Sequence, residues 1–185
     1  MILEALEGDK LIGIVLQKTE PDSRFGDFPE FFSVGSLGFI SDFSETEDGD
    51  YEIMLAGLSR FEILELSDPE PYPSAKIRIL EDSDQDNLDS DMLEHRLMSQ
   101  LRQLLGHDTE TLKELDLIGD ADFYTLINSV CSVLQISPRH KQVLLEMESL
   151  QSRAESLILL VQGLLADKRL VNSFAHLRPE DPVTN

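Results

Sequence analysis

Apolar positions in the first 80 residues fall mainly at strand spacing. Leu11-Ile12-Gly13-Ile14-Val15-Leu16 is a short continuous apolar run of the kind that fills a strand covered on both faces. Two further runs, Gly38 to Phe43 and Tyr51 to Ala56, flank Asp48-Gly49. That dipeptide favours the positive φ angles of a tight turn, so the two runs are expected to pair antiparallel. Arg60-Phe61-Glu62-Ile63-Leu64-Glu65 alternates, as does Ala75-Lys76-Ile77-Arg78-Ile79, which turns its apolar side chains one way and its cations the other. The pattern predicts five strands before residue 81, with Gly57 turning the chain between the Tyr51 and Phe61 strands. Met1 to Leu6 reads as the end of a helix stopped near Gly8.

Beyond residue 91 the period changes to that of a helix. Leu93, Leu97, Leu101 and Leu104 form one stripe, with Ser90 as N-cap and Gly106 as the stop. Phe123, Ile127, Val130, Cys131 and Leu134 form a second. Ser137-Pro138 opens a third helix through Val143, Leu144 and Met147, since proline suits the first turn. Leu150, Ala154, Leu157, Val161, Leu164 and Leu165 mark a fourth, extending toward Phe174. The expected organisation is a β subdomain over 1–80, an acidic linker over 81–91, a helical subdomain over 92–178 and a frayed tail over 179–185. The fold class is α+β.

Charge narrows what such a molecule does. The 185 residues carry 36 acidic and 15 basic side chains, a formal net charge of −21, against an apolar fraction of 41% that is ample for a core. A surface this negative disfavours nucleic acid, whose phosphates require cations, and equally an anionic membrane surface. Apolar runs such as Leu157 to Val161 fall far short of the roughly 20 residues a membrane helix needs. One cysteine, Cys131, makes no internal disulfide and fits a cytoplasmic protein.

Catalytic and metal-binding patterns are sparse. Cys131 lies between Val130 and Leu134 on an apolar helix face and reads as a small core residue. There is no G-x-S-x-G elbow, no H-E-x-x-H pair and no phosphate-binding glycine loop. Asp82, Asp84 and Asp86 match positions 1, 3 and 5 of a calcium loop, but Asn87 replaces the turn glycine and Leu93 the closing glutamate. A hydrated charged linker is the reading there. No catalytic residue, metal or cofactor is expected.

The remaining oddity is aromatic. Phe25, Phe28, Phe31 and Phe32 lie within eight residues, interrupted by Gly26 and Pro29. Such a loop either plugs the end of a curled sheet or its seam against the helices, or offers a place where extended polypeptide docks. These four rings are the candidate peptide-binding residues.

Taken together, four ordered pieces resemble the amino-terminal, substrate-binding domain of Lon protease. They are Val34-Gly35-Ser36-Leu37-Gly38-Phe39-Ile40, the Asp48-Gly49 turn, Leu55-Ala56-Gly57-Leu58-Ser59-Arg60-Phe61-Glu62-Ile63, and Pro71-Tyr72-Pro73-Ser74-Ala75. A more diffuse likeness covers Lys141 to Arg153. The resemblance implies a curved antiparallel or mixed sheet, a PUA-like pseudo-barrel, followed by a helical bundle. It implies a stand-alone, non-catalytic module that binds unfolded or extended polypeptide, selecting or delivering substrates for proteolysis with a protease or chaperone component as partner. No position matches the ATPase or serine–lysine protease parts of a complete Lon. Arg60 is placed to pair with an acid at the barrel rim, and Gly35 and Gly38 to let the sheet bend. The family also begins upstream of the point matched by Met1. Either a longer natural product or homo-oligomerisation along an exposed strand edge is therefore expected. The rival readings are an enzyme with its site in the groove between sheet and helices, nucleic-acid binding, and a structural adaptor.

Overall fold

The computed structural model describes residues 1–18, 30–67, 72–82, 90–106, 112, 113, 115, 119 and 121–174. The chain divides into two compact units, Met1–Asp82 with Pro138–Glu148, and Ser83–Ser137 with Ser149–Asn185.

The first unit opens with the short helix α1 (Ile2–Glu7), followed by β1 (Leu11–Ile14), β2 (Val34–Glu45), β3 (Tyr51–Leu66) and β4 (Ala75–Leu80). These form one antiparallel sheet in the order β1-β2-β3-β4. Leu11 lies opposite Phe39, Gly35 opposite Phe61, and Ile63 opposite Ile77. The expected hairpin is present, with Gly49 at φ +83° and Thr46 and Asp50 closing the turn.

Among the described residues four strands form where the pattern predicts five. The Tyr51 and Phe61 runs are one sixteen-residue strand, because Gly57 bulges and does not turn. Gly57 pairs with Gly38 and Ser59 with Leu37, so Leu58 is the extra residue, and a bulge bends and twists the strand while the ladder continues. Further register shifts at Ile40/Asp42 and Ile63/Glu65 add to the curvature. Gly35 serves clearance more than bending. A Cβ there would lie 2.5 Å from the Ile14 carbonyl oxygen and 2.7 Å from the ring of Phe61, a residue only 3% exposed.

Helix α4 (Pro138–Glu146) also belongs to this unit, although its period groups it with the later helices. Its inward face is Gln142 and Leu144, while Val143 is exposed. The buried glutamine explains why an apolar stripe misplaces that face: its Nε2 donates to the Val34 carbonyl at 3.0 Å, satisfying a backbone group of β2. Arg60, buried on β3, donates from Nη1 to the carbonyls of Leu145 (3.0 Å) and Met147 (2.8 Å). From Nη2 it donates to Asp82 at 2.7 Å. Its acid partner is thus found, but in the interior and not at a rim.

The second unit contains α2 (Ser90–Leu105), α3 (Phe123–Val133) and α5 (Leu150–Ser173). Leu93, Leu97 and Leu101 of α2, Leu126, Ile127 and Val130 of α3, and Ala154, Leu157, Ile158 and Val161 of α5 are buried. Gly106 at φ +73° ends α2 as its position suggests, and Ser90 is the first helical residue. Asp122 caps α3 by accepting from the Thr125 amide at 3.0 Å, and Ser149 caps α5 by accepting from the Ser152 amide. Cys131 is half-buried and Leu126, outside the expected stripe, is fully buried. No helix among the described residues is long and apolar enough to cross a membrane.

Candidate functional site

Alternation along the strands of the first unit turns Leu37, Phe61, Ile63 and Ile77 to one face of the sheet. This face lines a cleft of about 410 Å³ whose other walls are Met1, Ala5 of α1, Phe31, and Tyr72 to Ala75. Leu11 and Leu66, 41% and 46% exposed, stand at its mouth. Few polar groups enter it. Tyr72 donates its hydroxyl to the Glu4 carboxylate, tying the segment before β4 to α1. That hydrogen bond, with desolvation and the carboxylate's charge as lesser causes, raises the Tyr72 hydroxyl above its ordinary value. A phenol held protonated beside an apolar wall is suited to hydrogen bonding and not to proton abstraction.

Along the cleft runs β4, an outer strand paired only with β3 among the described residues. Ile77 and Ile79 lie on one side of it and Lys76 and Arg78 on the other, with Arg78 bonded to Glu62 across the strands. An outer strand presents unpaired N–H and C=O groups, which an extended chain can bond while its alternate side chains enter an adjoining apolar wall.

Of the four phenylalanines read as candidates, Phe25 and Phe28 lie outside the described residues. Phe31 and Phe32 sit on a short ladder, in which Phe31 pairs with Gln17 and the Phe32 amide donates to the Leu16 carbonyl at 2.9 Å. Neighbours in an extended chain point opposite ways, and these two diverge accordingly. Phe31 lines the cleft, whereas Phe32 lies under the Arg139 guanidinium, 5.0 Å from its ring centre, with Lys18 at 6.0 Å. The structure thus brings Phe31 to the cleft and gives Phe32 to the contact with α4. Tyr72 and Glu4 were not singled out from the sequence; the Pro71-Tyr72-Pro73 turn was the signal available. Asp82, the first residue of the calcium-like spacing, is committed to Arg60, and Asp84 and Asp86 lie outside the described residues.

Comparison with known proteins places this geometry. A family model described as the ATP-dependent protease La (LON) substrate-binding domain matches residues 1–163. The Lon protease of Parabacteroides distasonis is 30% identical over 167 residues, covering 87% of this chain and 20% of that protein. Lon protease 1 of Bdellovibrio bacteriovorus is 30% identical over 152 residues, covering 78% and 19%. The chain therefore spans about one fifth of the length of the curated relatives it matches. Among solved structures, the N-terminal domain of Mycobacterium avium complex Lon protease superposes with a TM-score of 0.60 at 16% identity, covering 85% of this chain and 90% of that one. A Lon N-terminal domain protein from Xanthomonas campestris superposes at 0.54 with 18% identity, covering 85% and 79%. At those identities the structural likeness speaks for the fold, and the family match over most of the chain speaks for descent: this protein belongs to the Lon substrate-binding domain family.

Proposed function

We propose that this protein is a non-catalytic polypeptide-binding module, which holds an extended apolar segment of another protein in the cleft beside β4. The observation that carries the reading is the apolar wall of Leu37, Phe61, Ile63 and Ile77 next to an outer strand that is paired on one side only among the described residues. Backbone bonding to β4 supplies affinity without regard to sequence, and the wall selects for apolar side chains at alternate positions. Phe31 forms one end of this site, and Phe25 and Phe28, six and three residues before it in the sequence, are the further peptide-binding candidates. Membership in the family and the protease names of its relatives support a role in selecting or delivering substrates to a protease or chaperone component in the cytoplasm. The same strand edge supports homo-oligomerisation, in competition with a client.

The test is fluorescence anisotropy with a labelled peptide that alternates leucine and lysine. Ile77→Asp and Phe31→Ser, each verified as folded by circular dichroism, are expected to weaken binding about tenfold or more, since each removes an apolar contact from the cleft lining. Phe28→Ser is expected to weaken it less. Unchanged affinity in folded Ile77→Asp and Phe31→Ser proteins overturns the assignment of the cleft.

A further inference from the structure

Beyond Ile40 the sheet narrows to two strands. β1 pairs with β2 only as far as Phe39, and β4 pairs with β3 only from Arg60 onward. Residues 42–45 and 51–54 therefore pair with each other alone among the described residues, as an arm tipped by the turn at Gly49. Pairing puts Phe43 with Ile53 and Glu45 with Tyr51 on one face, and Asp42 with Met54 and Ser44 with Glu52 on the other. Phe43 and Met54 are 50% and 65% exposed, and residues 42–44 and 52–54 line a shallow hollow of about 260 Å³. Two strands by themselves are marginal in water, and no other element lines this hollow.

We propose that this arm docks a cationic, amphipathic segment of another protein, at a surface separate from the cleft beside β4. The apolar side chains supply the contact, and charge identifies the occupant. Asp42, Glu45, Glu47, Asp48, Asp50 and Glu52 are all exposed, and no lysine or arginine occurs between Arg24 and Arg60. The ion pairs among the described residues lie elsewhere, so none of these six carboxylates is neutralised by one of them. Nor do they converge: no group of three acids able to hold a metal ion occurs among the described residues. Spread along the arm, they suit several lysines or arginines better than one point charge. A second copy of the chain would bring the same carboxylates to the contact, and like charges face to face cost affinity. Nucleic acid and an anionic membrane surface are disfavoured for the same reason. The segment that fits has apolar residues to cover Phe43 and Ile53, and cations at its flanks to reach Asp42, Glu45 and Glu52. The interface is small, so binding is weak and depends on salt.

Amide NMR of the isotope-labelled full chain tests this, titrated with a synthetic helical peptide that carries leucine along one face and lysine along the other. The signals of residues 42–54 are expected to shift and saturate. A peptide with glutamine in place of lysine is expected to bind at least about tenfold more weakly. Phe43→Ser is expected to weaken binding about tenfold by removing the central apolar contact. Should that variant fail to fold, Asp42→Asn with Glu45→Gln and Glu52→Gln is expected to weaken binding at low salt and flatten its salt dependence. Signals of the arm that do not move, or an affinity unchanged in these variants, overturn the proposal. So does a shift of the arm signals with protein concentration alone, which would make a second copy the occupant. Ile77→Asp is expected to leave the arm titration unchanged, and Phe43→Ser to leave the cleft unchanged, so the two readings fail separately. Loss of the arm titration in folded Ile77→Asp protein would assign the peptide to the cleft and overturn the arm.

Discussion

Arg60 holds together three separated stretches of backbone: β3, the segment leaving β4 at Asp82, and the end of α4. The side chains of both members of the ion pair are nearly inaccessible, at 6% and 2% exposure. Arg60→Ala would take from the buried Asp82 carboxylate the counter-charge at 2.7 Å and from two carbonyls the guanidinium donor. Removing one partner of a buried pair typically costs about 3–5 kcal/mol. Urea denaturation is expected to show a loss of that size for Arg60→Ala, and a smaller one for Arg60→Met paired with Asp82→Leu, which removes both charges together. A loss below about 1 kcal/mol for the single variant would mean that the pair is solvated. That Arg60 seeks an acid was legible beforehand. Its choice of Asp82 was not, because nothing in the local pattern marks one aspartate among five in the stretch from Glu81 to Asp91.

At the scale of elements, the ends are set by short-range chemistry. Asp122 accepts from the amide and the hydroxyl of Thr125, and these two bonds, the backbone one first, hold its carboxyl below the usual carboxylate range. A depressed folded value stabilises the protein above the unfolded value near pH 3.9, and that contribution disappears as pH falls through the folded value. Asp122→Ala is therefore expected to cost about 1 kcal/mol at pH 7, and the gap from the parent to close well below pH 3.9. Thermal denaturation of both proteins over that pH range measures it, and a gap independent of pH would rule out the carboxylate as the cap. The caps and the Asp48-Gly49 turn are legible because a few adjacent residues contain all the information. The continuity of β3 through Gly57 is not. A glycine between two alternating runs fits a turn or a bulge equally well, and the pairing with Gly38 on β2 chooses the bulge.

For the whole molecule, charge is the dominant long-range property. A net charge of −21 favours cationic clients over anionic ones at a distance, whatever the cleft contacts contribute at close range. Exposed charges are screened beyond about 10 Å at 0.1 M salt. The leucine–lysine peptide is accordingly expected to bind more weakly as salt rises, and a leucine–glutamate peptide to bind poorly at low salt. Equal affinities for the two peptides at low salt would exclude steering by the field.

Hydrophobic periodicity, turn residues and caps act over a handful of positions, and the linear chain was sufficient for α+β class, the strand and helix segments, their main stops and the family motifs. Contacts between distant positions follow a different rule. Gln142 meets Val34 across 108 residues and Arg60 meets Met147 across 87, and these pairings draw α4 into the sheet unit and turn its polar side inward. The aromatic cluster divides for the same reason: an extended backbone at positions 31 and 32 sends one ring to the cleft and the other to Arg139. Local preference is written in neighbouring side chains. Which surfaces meet depends on what burial the folded chain can satisfy.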